Sequence, residues 1–192
     1  MELPHDSGTR IRNLFAPLAI LVSALTLSMC SAPPETSPEA EPPDPSTFPA
    51  RIDAMYEDYR EDFPGIGEIS AEELVEMLEG DGEVVLVDVR EPKERAVSII
   101  AGSISEDTYE ANRDQYPKDS TIVVHCTIGY RSGKYVEKLQ RQGIDALNLK
   151  GSILSWVHAG QPVVTPEGEE TSRVHVYGQK WDLLPEGYEA VW

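Results

Sequence analysis

Thr121-Ile122-Val123-Val124-His125-Cys126-Thr127-Ile128-Gly129-Tyr130-Arg131-Ser132 runs from a β-branched stretch straight into a short loop that carries one glycine. Residues 121–124 have the length and composition of a strand covered on both faces. Residues 132–142 read as a helix closed by Gly143. This order sets Cys126 at a strand end facing a helix N-terminus, where unpaired N–H groups and the positive end of the helix dipole favour a thiolate. Gly129 lets the backbone curl so that successive N–H groups turn inward as an anion nest, and Arg131 adds a fixed cation. A sulfur activated in this way can attack a polarised sulfur–sulfur bond and then hold the resulting persulfide as an anion. Alone, a cysteine closing a buried strand is more often a small apolar filler. The glycine, the arginine and the helix start beside it favour chemistry.

Outward from the loop, strands and helices alternate. Residues 84–87 form a second aliphatic run, bounded by Gly82 and Asp88. Pro92 opens a short helical stretch over 92–97, and residues 107–113 also read as helical. Upstream, residues 66–69 suit a short strand, and Ser70 with Glu73 forms a capping box for a helix reaching about Glu79. Ile52, Met55, Tyr56, Tyr59 and Phe63 recur at three- and four-residue spacing, predicting an amphipathic helix that Pro64 and Gly65 end. Downstream come a strand at 146–149 and a short helix after Gly151 through Trp156. The pattern is an α/β chain with an open parallel sheet, whose ligands sit beyond the carboxyl ends of the strands, where Asp88 and Cys126 both fall.

The chain has 192 residues, 40% of them hydrophobic and 26% charged, enough for one core plus appendages. Sixteen basic residues against 34 acidic ones leave a net charge of -18, which repels phosphate backbones and excludes nucleic acid as a partner. Arg10 and Arg12 precede an apolar run over 14–27 that suits a signal-peptide core better than a spanning helix. Residues 31–49 are rich in Pro, Glu, Ser and Thr and read as a tether. The two cysteines, Cys30 and Cys126, lie in separate contexts, so each is explained alone.

The sequence resembles two known patterns. Leu27-Ser28-Met29-Cys30 resembles the lipobox of bacterial lipoproteins, with Met29 where a small residue is usual. The resemblance implies lipidation at Cys30, export and a membrane-anchored domain facing the periplasm; a soluble periplasmic or secreted form is the alternative. Residues 126–131 resemble the active-site loop of the rhodanese-like family, whose first residue carries the transferred sulfur. Three further segments agree: Leu86-Val87-Asp88-Val89-Arg90-Glu91-Pro92, Ala101-Gly102-Ser103-Ile104, and the closing Gly151-Ser152-Ile153, Trp156, Ala159-Gly160, Pro162-Val163. Ser98-Ile99-Ile100 stands where the family commonly has Gly-His-Ile, which implies altered packing.

The family resemblance implies a three-layer fold with a central, mostly parallel five-stranded sheet and helices on both faces. Joined to the leader, tether, helix and apolar C-terminal stretch read above, it gives the organisation 1–29 signal peptide, 30–49 tether, 50–65 N-terminal helix, 66–165 rhodanese-like domain and 166–192 extension. It further implies a sulfurtransferase working through Cys126, with Thr127, Ile128, Gly129, Tyr130 and Arg131 around the substrate and Asp88 and Arg90 bracing the wall. The donor is then a small sulfur-containing anion or a persulfide. The acceptor is cyanide or a thiol, including a protein thiol or a thioredoxin-like reductant.

Blander readings stand beside these. Asp88 and Arg90 also suit a strand-end cap and a surface ion pair of little worth. Tyr130 either meets substrate at a pocket rim or packs over apolar neighbours. His125 points away from Cys126 by strand alternation and is not read as a base. His158 and His175 lack metal-ligand spacing, so neither a metal nor a cofactor is expected. A phosphatase or arsenate reductase would place arginine six positions after the cysteine, where Ser132 stands. A non-catalytic redox-sensing or partner-binding module of the cell envelope remains the other alternative. The apolar residues of 174–192 suit either a strand or hairpin packed on the domain or a lip over the pocket.

Overall fold

A computed structural model describes residues 47–192. The expected signal segment, Cys30 and the tether up to residue 46 lie outside the described residues. Helix α1 spans Phe48–Arg60, starting inside the stretch read as tether and ending before Phe63. The Thr47 side chain accepts the Ala50 N–H, and Pro49 sits in the first turn, where its missing N–H costs nothing.

The chain continues through β1 (Gly67–Ile69), α2 (Ala71–Glu79), β2 (Val84–Asp88), α3 (Pro92–Arg95), β3 (Ile104–Ser105) and α4 (Glu106–Asn112). Next come β4 (Thr121–His125), α5 (Tyr130–Arg141), β5 (Leu147–Leu149) and α6 (Ser152–His158). The last elements are β6 (Val163–Val164), β7 (Glu170–Thr171), β8 (Arg173–His175) and β9 (Glu189–Val191). The Ser70–Glu73 capping box is present, with both reciprocal hydrogen bonds.

One sheet takes the order β1-β5-β4-β2-β3, and every pairing in it is parallel. This is the α/β class expected, with the short edge strand β3 as fifth member. Strand alternation divides the aliphatic runs between two layers. Leu86 and Val123 join Ile52, Leu74, Leu149 and Ile153 beneath α1, α2 and α6. Val85, Val87 and Val124 meet Tyr109, Val136 and Leu139 beneath α4 and α5. Both faces are therefore sealed, as a parallel sheet requires.

The C-terminal stretch belongs to the first layer, since Val174, Val176, Leu183 and Leu184 are buried with Leu86 and Val123. Its pairing is not a simple hairpin. β6 and β7 run antiparallel, whereas β8 and β9 pair in parallel through a crossover. Helix α5 begins at Tyr130 rather than near Ser132, because Gly129 at φ 109 turns the chain so that Tyr130 and Arg131 already form its first turn.

Candidate active site

β4 ends at the centre of the sheet and delivers Cys126 beyond its carboxyl end, against the first turn of α5. The thiol is 1% exposed and lies at the floor of a cavity of about 440 Å³. Around it, the Gly129 N–H donates to Sγ at 3.2 Å and the Ser132 hydroxyl at 3.5 Å. Burial by itself raises a thiol pKa. Here the charge of Arg131 and hydrogen bonds from Ser132 and Gly129 outweigh burial, and the Cys126 thiol lies below its ordinary value.

The loop is held from outside by three elements. From α6, the N–H groups of Ile153 and Leu154 donate to the carbonyls of Cys126 and Thr127, each at 3.3 Å. Ser152, at φ 50, accepts the Cys126 N–H at 3.0 Å and donates to the Leu149 carbonyl. From β5, Asn148 donates to the Gly129 carbonyl at 2.9 Å and to the Tyr56 hydroxyl at 3.0 Å. From α1, the Tyr56 ring closes over Gly129 so tightly that a Cβ there would stand 2.5 Å from it. A side chain is excluded twice, by the backbone angle and by this ring.

Arg131 is the clearest departure from expectation. Its guanidinium forms a two-pronged pair with the fully buried Glu94, at 2.6 and 2.7 Å, and donates to the Thr127 hydroxyl at 3.2 Å. Glu94 also accepts the Glu91 N–H at 2.8 Å and lies 3.9 Å from His175 Nδ1. Burial works against its charge, but Arg131 and the Glu91 amide hold its pKa below the usual range. The expected substrate cation is therefore largely neutralised by a carboxylate of the same molecule. Nothing in the spacing of the motif announced Glu94. The only local signal was its position three residues after Glu91, at the start of the proline-opened helix α3.

The remaining expected residues fall in different places. Thr127 belongs to the Arg131–Glu94 group and Ile128 is buried in the core beneath α1, and both line the cavity as well. Tyr130 is half exposed, edge-on to Tyr59, hydrogen-bonded to Asp62, and part of the cavity wall, so it both packs and lines.

Asp88 and Arg90 do not face this cavity. They form a fully buried pair at 2.7 Å, not a surface one, and Arg90 also donates to the Ser98 carbonyl, which ties β2 to the segment before β3. Burial opposes the Asp88 charge, yet its pKa stays low through His125 and Arg90. Since burial pushes His125 itself down to about 4, Arg90 carries that support at neutral pH. His125 has no hydrogen bond at either ring nitrogen among the described residues. The C-terminal stretch supplies what the motif lacks. Tyr177, Lys180 and Trp181 form the outer wall of the cavity.

Residues 70–159 match the rhodanese-like domain family. A sulfurtransferase of Allochromatium vinosum is 35% identical over 106 residues, spanning 54% of this chain and 99% of that protein. The crystal structure of a rhodanese-like domain protein from Staphylococcus aureus is 33% identical, with a TM-score of 0.43 over 47% of this chain and 91% of the other. That of a thiosulfate sulfurtransferase from Pseudomonas aeruginosa is 22% identical, with a TM-score of 0.52 over 62% of this chain and 23% of the other, and shares the fold.

Proposed function

Because the chain belongs to the rhodanese-like domain family, we propose that it moves sulfane sulfur through a persulfide on Cys126. The Cys126 thiolate attacks the outer sulfur of thiosulfate or of a persulfide donor. A new bond forms at Sγ, the donor's sulfur–sulfur bond breaks, and its electron pair leaves on sulfite or on a thiolate. The terminal sulfur of the enzyme persulfide carries the negative charge into the ring of donors at the start of α5. A thiol or cyanide acceptor then attacks that outer sulfur and restores the Cys126 thiolate.

The observation that carries the reading is the convergence of the Gly129 N–H and the Ser132 hydroxyl on a buried, acidified sulfur. Acceptors that fit are small thiols, a protein thiol or a thioredoxin-like reductant. The lipobox-like stretch before Cys30 supports export and anchoring of this activity at the periplasmic face by an N-terminal lipid.

The test is a mass measurement on the full chain after treatment with thiosulfate or a persulfide. The peptide containing Cys126 should gain one reducible sulfur, and Cys126→Ser should lose both the adduct and turnover. A serine variant that still turns over would sink the mechanism.

A further inference from the structure

Two stretches outside residues 70–159 meet at the mouth of the Cys126 cavity. Helix α1 brings Tyr59, and the segment after β8 brings Tyr177, Lys180 and Trp181. Tyr177 stands edge-on to Trp181, with ring centroids 5.3 Å apart. Lys180 bridges the two stretches, its Nζ 5.2 Å from the Trp181 ring and 5.9 Å from that of Tyr59, and it donates to the Tyr59 hydroxyl at 3.4 Å.

Tyr177 adopts φ 68, a left-handed conformation rare for an aromatic residue. Its N–H donates to His175 Nδ1 at 3.1 Å, and the Arg131 guanidinium sits over its ring at 5.1 Å. Backbone strain of this kind persists only where the surroundings over-determine it, and it gathers at ligand clamps.

Charge and volume narrow what fits. Arg131 is committed to Glu94, whereas Lys180 has no carboxylate partner among the described residues. A bare thiosulfate ion would leave most of a 440 Å³ cavity and its aromatic rim unused. An anion with a flat apolar body uses both, its ring among the aromatic faces and its charge between Lys180 and the first turn of α5.

We propose that this mouth, formed by Tyr59, Tyr177, Lys180 and Trp181, selects sulfane-sulfur donors whose anionic reacting end is attached to an aromatic or similarly flat apolar body. The proposal rests on the sulfurtransferase reading and adds a substrate class to it. With an arenethiosulfonate, the Cys126 thiolate attacks the terminal sulfur. The bond from that sulfur to the sulfonyl group breaks, and the electron pair departs on the arenesulfinate.

The experiment compares benzenethiosulfonate with methanethiosulfonate on the full chain, by kcat/KM and by the sulfur adduct at Cys126. The ratio of the two kcat/KM values in the wild type is divided by that in Trp181→Ala and in the exposed Tyr177→Ala, so that intrinsic donor reactivity cancels. The expected quotient is about tenfold for Trp181→Ala and smaller for Tyr177→Ala. A second readout needs no turnover. Benzenesulfonate should protect Cys126 from iodoacetamide at about tenfold lower concentration than methanesulfonate does.

Quotients near one, or equal protection by the two sulfonates, overturn the proposal and leave sulfur transfer standing. Failure of both donors to add sulfur to Cys126 overturns the sulfurtransferase reading and this inference with it.

Discussion

The floor and the mouth of the Cys126 cavity are built on opposite plans. The floor is a continuous strand–loop–helix segment, and its polar groups are paired and largely buried: Cys126 with Gly129 and Ser132, and the part-buried Arg131 with the fully buried Glu94 of α3. The mouth is assembled from α1 and the segment after β8, and its side chains, three aromatic rings and Lys180, are half exposed or exposed. Buried paired charges tolerate almost no change, because removing one partner strands the other in a poorly solvated site. Aromatic faces at a rim are energetically graded, so the mouth can vary while the chemistry below it stays constant. Paired charge and apolar, partly exposed surface are thus separated within one cavity.

The largest effect that would test this contrast is at Glu94. Glu94→Ala should cost about 3 kcal/mol in a urea melt, the low end of the range for a broken buried ion pair because Arg131 keeps some access to water. A loss no greater than that of an exposed pair, below about 1 kcal/mol, would break the distinction between floor and mouth. Glu94→Gln sharpens it, because the Arg131 charge is then uncompensated and the Cys126 thiolate should be favoured further, moving the pH profile of alkylation to lower pH.

Acid sensitivity should belong to the buried group behind the floor, where His125 stands 3.8 Å from Asp88. Burial depresses the pKa of His125 to about 4 in the folded state, against the pull of Asp88 and with Arg90 and Arg95 adding to the depression. The folded state therefore binds fewer protons than the unfolded chain between about pH 6.5 and pH 4. The stabilisation is full above that window and falls as pH drops through it, by about 3 kcal/mol for this residue. Denaturation at several pH values should show the slope, and His125→Leu should flatten it. An unchanged slope in that variant would assign the acid lability elsewhere.

The smallest effect concerns the joint between the two regions. Gly129→Ala should cost on the order of 1 to 3 kcal/mol, from its backbone angle and from contact with the Tyr56 ring. Combining it with Tyr56→Ala should return the part due to the ring and keep the part due to the angle. Strict additivity in this double-mutant cycle would mean that α1 and the loop are energetically independent.

The floor was largely readable from sequence because its decisive relations are local. The aliphatic run of β4, the glycine three residues after Cys126 and the Ser70 capping box each declare themselves within a few positions. Glu94 and Arg131 are 37 residues apart, and Tyr59 and Lys180 are 121 apart. No periodicity links such pairs. The start of α5 was placed two residues late for a related reason. Tyr130 and Arg131 show little intrinsic preference that marks a helix start, and it is the left-handed Gly129, fixed beneath Tyr56, that turns them into its first turn.

The C-terminal stretch shows the same limit. Its apolar residues excluded a free tail, yet composition could not distinguish a hairpin from the parallel β8–β9 pair, because a parallel partner is chosen by the packed core and not by a turn.

By itself, then, the amino-acid order determined the α/β class, the strand that carries Cys126 and the glycine-bearing loop that leads from it into a helix, since hydrophobic period, glycine and helix start act over short distances. Only the tertiary structure decided that Arg131 is balanced by Glu94 and that Tyr59, Tyr177, Lys180 and Trp181 form one rim. Those relations exist only once the sheet has brought distant segments within reach of each other's charges and ring faces.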